Sequence, residues 1–437
     1  MSTIESQVFT RSELHHQPPP LNRKVVIATV IGNWLEFFDF TVYSIFAVYI
    51  GKAFFPTFSS TGQILMAVAA FGIGFIFRPL GGVLIGAYGD RAGRRAAVTL
   101  TIMLMAGGTA LFGVTPGYAT VGAVAPVLII LARVIQGLST GGTIGAATSY
   151  LVEAAPDGRR GLYGSWQYAS QGIGAVCAGL MGYGLTTWLT GEQMAVWGWR
   201  VPFFFGLLIA PVGFYIRRNM DETAAPEAKK NSTAGMIGIL FREHGALMVF
   251  CLLAVMGMTI SNYIIKNYMT TYAIHTLKMS EDVGMLASLV AGAAAAVGAV
   301  VAGALSDRYG RALLMIVPRA FFVLAAYPCF AVITHLVSPL ALLSMIAVLS
   351  TLQAMSGAVI ILVLPECFPR AVRSSGTAIT YSLGVTIFGG TAQLAVTWLL
   401  DLTGNPLAIA WYLIVTNFIG MVALFFLHPP KAKEHLS

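Results

Sequence analysis

The sequence predicts an all-α integral membrane protein of twelve transmembrane helices, built as two related six-helix halves. Three observations predict it. The 437 residues are 57% hydrophobic and only 10% charged, with a mean hydropathy of +0.77. Soluble domains run at about 45–50% apolar and about 25% charged, so the bilayer rather than water is the expected solvent. Several apolar runs exceed the ~20 residues that cross ~30 Å of hydrocarbon. Finally, Gly86-Ala87-Tyr88-Gly89-Asp90-Arg91-Ala92-Gly93-Arg94-Arg95 returns as Gly303-Ala304-Leu305-Ser306-Asp307-Arg308-Tyr309-Gly310-Arg311, with Asp90 and Asp307 217 residues apart, close to half the chain. Two homologous bundles explain that spacing.

In order, the spans are expected near 25–50, 61–86, 96–116, 123–152, 162–188 and 199–217, then 245–272, 283–305, 312–336, 338–366, 372–400 and 405–427. The first begins after a polar, Pro-containing leader, is too long for a signal-peptide core and lacks a small-residue cleavage site, so it is read as a retained helix. The most polar interior stretch runs from Arg217 through Lys229, Lys230 and Asn231 to Arg242 and reads as a linker. The expected organisation is a tail over 1–24, a bundle over 25–217, a linker over 218–244, a second bundle over 245–427 and a tail over 428–437. With both termini cytoplasmic, inside segments hold 19 Lys and Arg and outside loops hold three, Lys52, Arg200 and Lys278. Short basic loops stay on the cytoplasmic side, which sets this orientation in a bacterial inner membrane and makes the net charge of +8 a matter of topology rather than of nucleic-acid binding.

The glycines of the duplicated loop permit tight turns, and its Asp can face neighbouring helix ends or Arg partners. Further motifs are Gly32-Asn33-Trp34-Leu35-Glu36-Phe37-Phe38-Asp39-Phe40, Arg78-Pro79-Leu80-Gly81-Gly82, the run Arg133-Val134-Ile135-Gln136-Gly137-Leu138-Ser139-Thr140-Gly141-Gly142, Trp197-Gly198-Trp199-Arg200-Val201-Pro202-Phe203, and Arg217-Arg218 followed by Glu222-Thr223. On these residues, over nearly its whole length, the chain resembles the major facilitator superfamily and, within it, the metabolite:proton symporter family. The first helix and Phe388-Gly389-Gly390 look most like the citrate–proton symporter and α-ketoglutarate permease members. The resemblance implies the major facilitator fold and proton-coupled symport of a small organic acid, a di- or tricarboxylate such as citrate or α-ketoglutarate. Family members also carry proline, betaine and shikimate, so zwitterionic osmolytes remain open, as does uncoupled facilitation. Where many relatives read Gly-Gly-Glu on the fourth helix, this chain reads Gly141-Gly142-Thr143 and lacks that acid.

A bare charge at bilayer depth costs from ~3 to more than ~10 kcal/mol, so each intramembrane charge should face the interior with a partner. Glu36 and Asp39, three residues apart, share a face of the first helix with Asn33 and Tyr43. Close carboxylates compete for one proton, the property proton coupling requires; the alternative is that one of them permanently neutralises Arg133. Arg133, spaced four residues from Gly137, is suited to a substrate carboxylate or to modulating Asp39, or else locks the first helix to the fourth. On the fifth helix Gln167 and Gln171 read as substrate contacts or as helix-to-helix hydrogen bonds. Tyr263, Lys266 and Asn267 on the seventh helix and Arg319 on the ninth complete the candidate substrate site. Lys266 and Arg319, with no intramembrane acid before Glu366, call for an anionic ligand unless Arg319 snorkels out. Arg78, Asp90, Arg91, Arg94, Glu153, Asp307, Arg308, Arg311 and Glu366 are expected at the cytoplasmic gate, paired marginally so that the gate opens.

Cys177, Cys251, Cys329 and Cys367 show no CxxC or metal spacing, and Phe71-Gly72-Ile73-Gly74 lacks a phosphate-loop ending. No metal, nucleotide or other cofactor is expected, no enzymatic constellation is present, and a monomer suffices. The expected partners are the substrate anion, protons and lipid.

Overall fold

The computed structural model describes residues 23–427 apart from 93, 141–150, 153–154, 157, 220–232 and 370–372. Among these, each of the twelve expected positions contains helix, the fourth described from Val124 to Thr140. The first half contains α1 (Arg23–Ile45), α2 (Ala47–Phe54), α3 (Ser60–Ile76), α4 (Arg78–Ala92), α5 (Arg94–Val114), α6 (Val124–Thr140), α7 (Arg160–Trp188) and α8 (Ile209–Asn219). The second contains α9 (Thr233–Ser261), α10 (Glu281–Tyr309), α11 (Arg311–Leu336), α12 (Pro339–Val363), α13 (Arg373–Gly384), α14 (Gly390–Thr403) and α15 (Ala408–Phe426). Among the described residues seven helical runs are long and apolar enough to cross a membrane, and α1 with α2, bent by 63°, makes an eighth. Trp188, Leu324, Leu340 and Phe425 are exposed on outer faces, where hydrocarbon rather than water suits them.

The chain breaks where its punctuation predicts. Gly310, in the second copy of the repeated loop, has φ +90°, a conformation that favours glycine, and separates α10 from α11. The polar stretch expected as a linker is helical from Thr233 onward, and α9 bends at His244, whose φ is −124°. Lys229, Lys230 and Asn231 lie outside the described residues.

Small residues set how closely helices approach. A Cβ on Gly137 of α6 would collide with the carbonyl oxygen of Gly74 on α3, so these backbones touch directly. Gly137→Val is therefore expected to destabilise the protein by ~1–3 kcal/mol by forcing α3 and α6 apart; an unchanged thermal midpoint in detergent would contradict this packing. A longer seam joins the halves. Gly161, Gly172, Gly179 and Gly182 on α7 meet Gly303, Gly292, Leu289 and Met285 on α10, an antiparallel register running the length of both helices.

Candidate functional site

The continuous helical path of α9 changes pitch at its inner end, where Asn262–Tyr268 form a π-helical turn, and Val385–Gly389 form another after α13. Such turns insert an extra residue and concentrate at functional sites. The two face each other: Cβ atoms built on Gly389 would press on Thr259 and Tyr263. Between them lies a cavity of about 10 Å³, lined by Phe37, Tyr168, Gln171, Asn262, Tyr263 and Tyr381 among others. That volume holds about one water molecule.

Lys266, on the first π turn, lies beside two of the rings that line this cavity. It is 2% exposed, its Nζ lies 5.8 Å from the Phe37 ring and 5.7 Å from the Tyr168 ring, and it has no hydrogen-bond partner among the described residues. Gln171 Nε2 and Asn267 Oδ1 are also buried without partners. The Tyr168 hydroxyl donates to Asn262 Oδ1 at 3.1 Å and accepts from Gln353 Nε2, which also donates to the Met258 carbonyl at 3.3 Å. Tyr263 and Gln171 thus line one cavity, and Lys266 adjoins it through Tyr168.

Other expected members are committed elsewhere. Asn33 Nδ2 donates to the Gln167 carbonyl at 2.9 Å and Ser170 Oγ at 2.6 Å, and Gln167 Nε2 donates back to Asn33 Oδ1 at 2.8 Å. These bonds fasten α1 to α7, the structural role weighed for Gln167. Arg133 is fully buried, its guanidinium 3.8 Å from the Tyr43 ring and 5.0 Å from Phe112. Its Nη1 lies 3.5 Å from Asp39 Oδ2 and donates to Gln136 Oε1 at 2.6 Å. Gln136 Nε2 donates to Asp39 Oδ2 at 2.9 Å and Thr109 Oγ1 donates to Asp39 Oδ1 at 3.0 Å. The Tyr43 hydroxyl donates to the Ala67 carbonyl at 2.8 Å. Arg133, Asp39 and Tyr43 form a closed polar knot among α1, α5 and α6 that contributes no residue to the cavity wall.

Two expectations change. Glu36 and Asp39 share a helical face by spacing but not surroundings: Asp39 is held by α5 and α6, whereas Glu36 lies within electrostatic reach of the Tyr263 and Tyr381 hydroxyls. The physical reason is the 60° offset of an i, i+3 pair, enough to put one carboxylate in the knot and the other beside the cavity. Arg319 is 2% exposed but lies in the crevice between α9 and α15, where Nη1 donates to the Ala254 carbonyl at 3.2 Å and Gly257 and Gly420 leave room for it. It does not line the central cavity but lies within electrostatic reach of Tyr168, which does.

Of the expected gate residues, Asp307 accepts from the backbone N–H groups of Gly161 at 2.7 Å and Leu162 at 3.0 Å. A carboxylate on the first turn of a long helix meets both unsatisfied donors and the favourable end of the dipole, so α10 caps α7 across the two halves. Arg311 pairs with Glu366 on the turn that follows α12. Arg308 is exposed on an open hollow shared with Arg159 and Asp307. Arg78, by contrast, is 4% exposed and stacked on Phe40 and Phe75, away from the surface. The gate roles expected for the Asp90, Arg91, Arg94 and Glu153 side chains, and the Gly141-Gly142-Thr143 departure, lie outside the described residues.

Sequence reasoning did not single out contacts at the opposite end. There the Tyr49 hydroxyl donates to Glu281 Oε2, and Ser60 Oγ lies 3.5 Å from His275 Nε2. Tyr49→Phe, removing a charge-assisted bond worth ~1.5–3 kcal/mol, is expected to raise the population open at that end about tenfold or more. Pulsed electron resonance between spin labels at Thr57 and Lys278 reads it; an unchanged distance distribution sinks the idea. Gln136, Thr109, Gln353 and Tyr381 were also missed, although a polar side chain inside an apolar span was the available signal for each.

The model for the Major Facilitator Superfamily matches residues 29–385. A citrate-proton symporter of Klebsiella pneumoniae is 33% identical over 408 residues, 93% of this chain and 92% of that protein. A putative proline/betaine transporter of Staphylococcus aureus (strain COL) is 34% identical over 441 residues, 98% of this chain and 93% of that protein. A crystal structure of a D-xylose-proton symporter superposes with a TM-score of 0.74 at 18% identity, covering 92% of this chain and 96% of that one. The helices, their duplicated loop and these matches agree: the chain is a membrane-spanning member of the Major Facilitator Superfamily.

Proposed function

We propose that the protein is a proton-coupled symporter of a small organic acid, of the di- or tricarboxylate class, working by alternating access in a bacterial inner membrane with both termini in the cytoplasm. The observation that carries this reading is Lys266: a buried amine without an acceptor among the described residues, set beside the Phe37 and Tyr168 rings that line the cavity between two π turns. A cation that hydrocarbon disfavours is retained where an anionic ligand supplies its counter-charge. The Klebsiella relative, named for citrate, supports the class. The two halves rock about this site, closing the Asp307 end on the cytoplasmic side and the Tyr49–Glu281 end on the other. Asp39, in its knot with Arg133, or Glu36, beside the cavity, carries the proton.

A second reading has its own support. Phe37, Tyr168, Tyr263 and Tyr381 surround the cavity with aromatic faces, which suit a quaternary or secondary ammonium, and the Staphylococcus relative is named for proline and betaine.

Proteoliposomes offered citrate, α-ketoglutarate, shikimate, proline and betaine, with a pH dye inside, separate the readings. Carboxylate uptake with acidification of the lumen is expected. Uptake of zwitterions alone favours the second reading, and carboxylate uptake without proton movement removes the coupling.

A further inference from the structure

The described residues include four buried cations at bilayer depth: Arg78, Arg133, Lys266 and Arg319. Arg133 has an acid and an amide, and Arg319 has a backbone carbonyl. Among the described residues Lys266 has no hydrogen-bond partner, and Arg78 has only the Tyr263 hydroxyl. Arg78 opens α4 directly after Phe77, and its side chain is 4% exposed. Its guanidinium rests 4.2 Å from the Phe75 ring and 4.6 Å from the Phe40 ring, and its Nε and Nη2 are buried with no hydrogen-bond partner.

Arg78 is outside the cavity lining but adjoins it through its neighbours. The Phe75 ring packs edge-on against Tyr263 at 5.3 Å, and the hydroxyls of Tyr263 and Tyr381, both on the cavity wall, lie within electrostatic reach of Arg78. Phe37, which carries Lys266, and Phe40, which carries Arg78, are one turn apart on α1 with ring centroids 6.2 Å apart. Lys266, and Arg78 with its Nε and Nη2 unspent, therefore flank one aromatic slab. Cation–π contact holds a guanidinium only modestly and leaves its in-plane N–H groups unspent, ready for a carboxylate that accepts two of them.

We infer that Arg78 is the second anion anchor of the site, so that a substrate carrying two carboxylates spans from Lys266 to Arg78 along the Phe37–Phe40 face. This rests on the carboxylate reading above and adds to it the residue that selects diacids over monoacids. The competing role is a fixed counter-charge for Glu36, which shares the Tyr263 and Tyr381 neighbourhood.

Calorimetric titration of the purified protein with α-ketoglutarate and with α-ketoglutaramate, in which one carboxylate is an amide, tests it. Wild-type protein is expected to bind the diacid at least ~30-fold more tightly, the scale of a buried charge-assisted pair. Arg78→Met is expected to bring the two ligands to near-equal affinity by weakening only the diacid, and Arg78→Lys to restore part of the preference. Equal weakening of both ligands, or an undiminished preference in Arg78→Met, overturns the assignment. So does an absence of preference in the wild-type protein, a result that does not depend on any variant folding. If the wild-type protein binds neither ligand nor citrate, it is the carboxylate reading itself that fails.

Discussion

Lys266→Met is expected to weaken citrate or α-ketoglutarate binding by ~30- to 1,000-fold while leaving the thermal stability of the ligand-free protein unchanged or raised. Loss of affinity follows from removing the ammonium partner of a desolvated carboxylate, a change that costs ~2–5 kcal/mol in buried pairs. The stability half follows from the same geometry read the other way. Nζ makes no hydrogen bond among the described residues and lies 5.7 and 5.8 Å from two aromatic rings, so the fold gains little from the charge and bears its desolvation. Methionine fills a similar volume with an apolar chain. Measuring both quantities on one preparation separates function from folding. A fall in stability of more than ~2 kcal/mol would mean that Lys266 is structural. Unaltered carboxylate affinity would remove the anchor, and betaine or proline binding that survives the substitution would favour the zwitterion reading.

Much of the architecture was legible because hydrocarbon imposes strict rules. Apolar runs had to be spans, the Asp90 and Asp307 loops had to mark a repeat, and Gly310 had to turn. The site was legible only in part. Lys266 stood out because a lysine inside an apolar run needs an explanation whatever its neighbours. Spacing alone placed Glu36 and Asp39 together, but which carboxylate meets which helix depends on rotations that no local pattern encodes. Arg78 looked like a gate residue because it sits late in its span, and its packing against Phe40 of α1 is a tertiary contact that the local sequence does not show. Gln136 escaped notice within a motif read for its arginine and glycines, although its amide is the piece that satisfies both Arg133 and Asp39.

The knot around Asp39 yields the second large effect. Asp39→Asn is expected to lower stability by ~3–5 kcal/mol, because it removes the counter-charge of the buried Arg133 guanidinium. Arg133→Met should cost less, since Thr109 and Gln136 still donate to the carboxylate. The double variant should be less damaged than the two single changes predict together, by roughly 1–3 kcal/mol. Additive costs would mean that the 3.5 Å ion pair contributes nothing. The functional arm is independent of that outcome. The knot adds no residue to the cavity wall, so Asp39→Asn should retain substrate exchange across proteoliposome membranes while losing accumulation driven by a proton gradient. Glu36→Gln should retain both. The reverse pattern would move the proton to Glu36 and leave Asp39 as a fixed counter-ion for Arg133, and full coupling in both variants would exclude the first helix as the proton carrier.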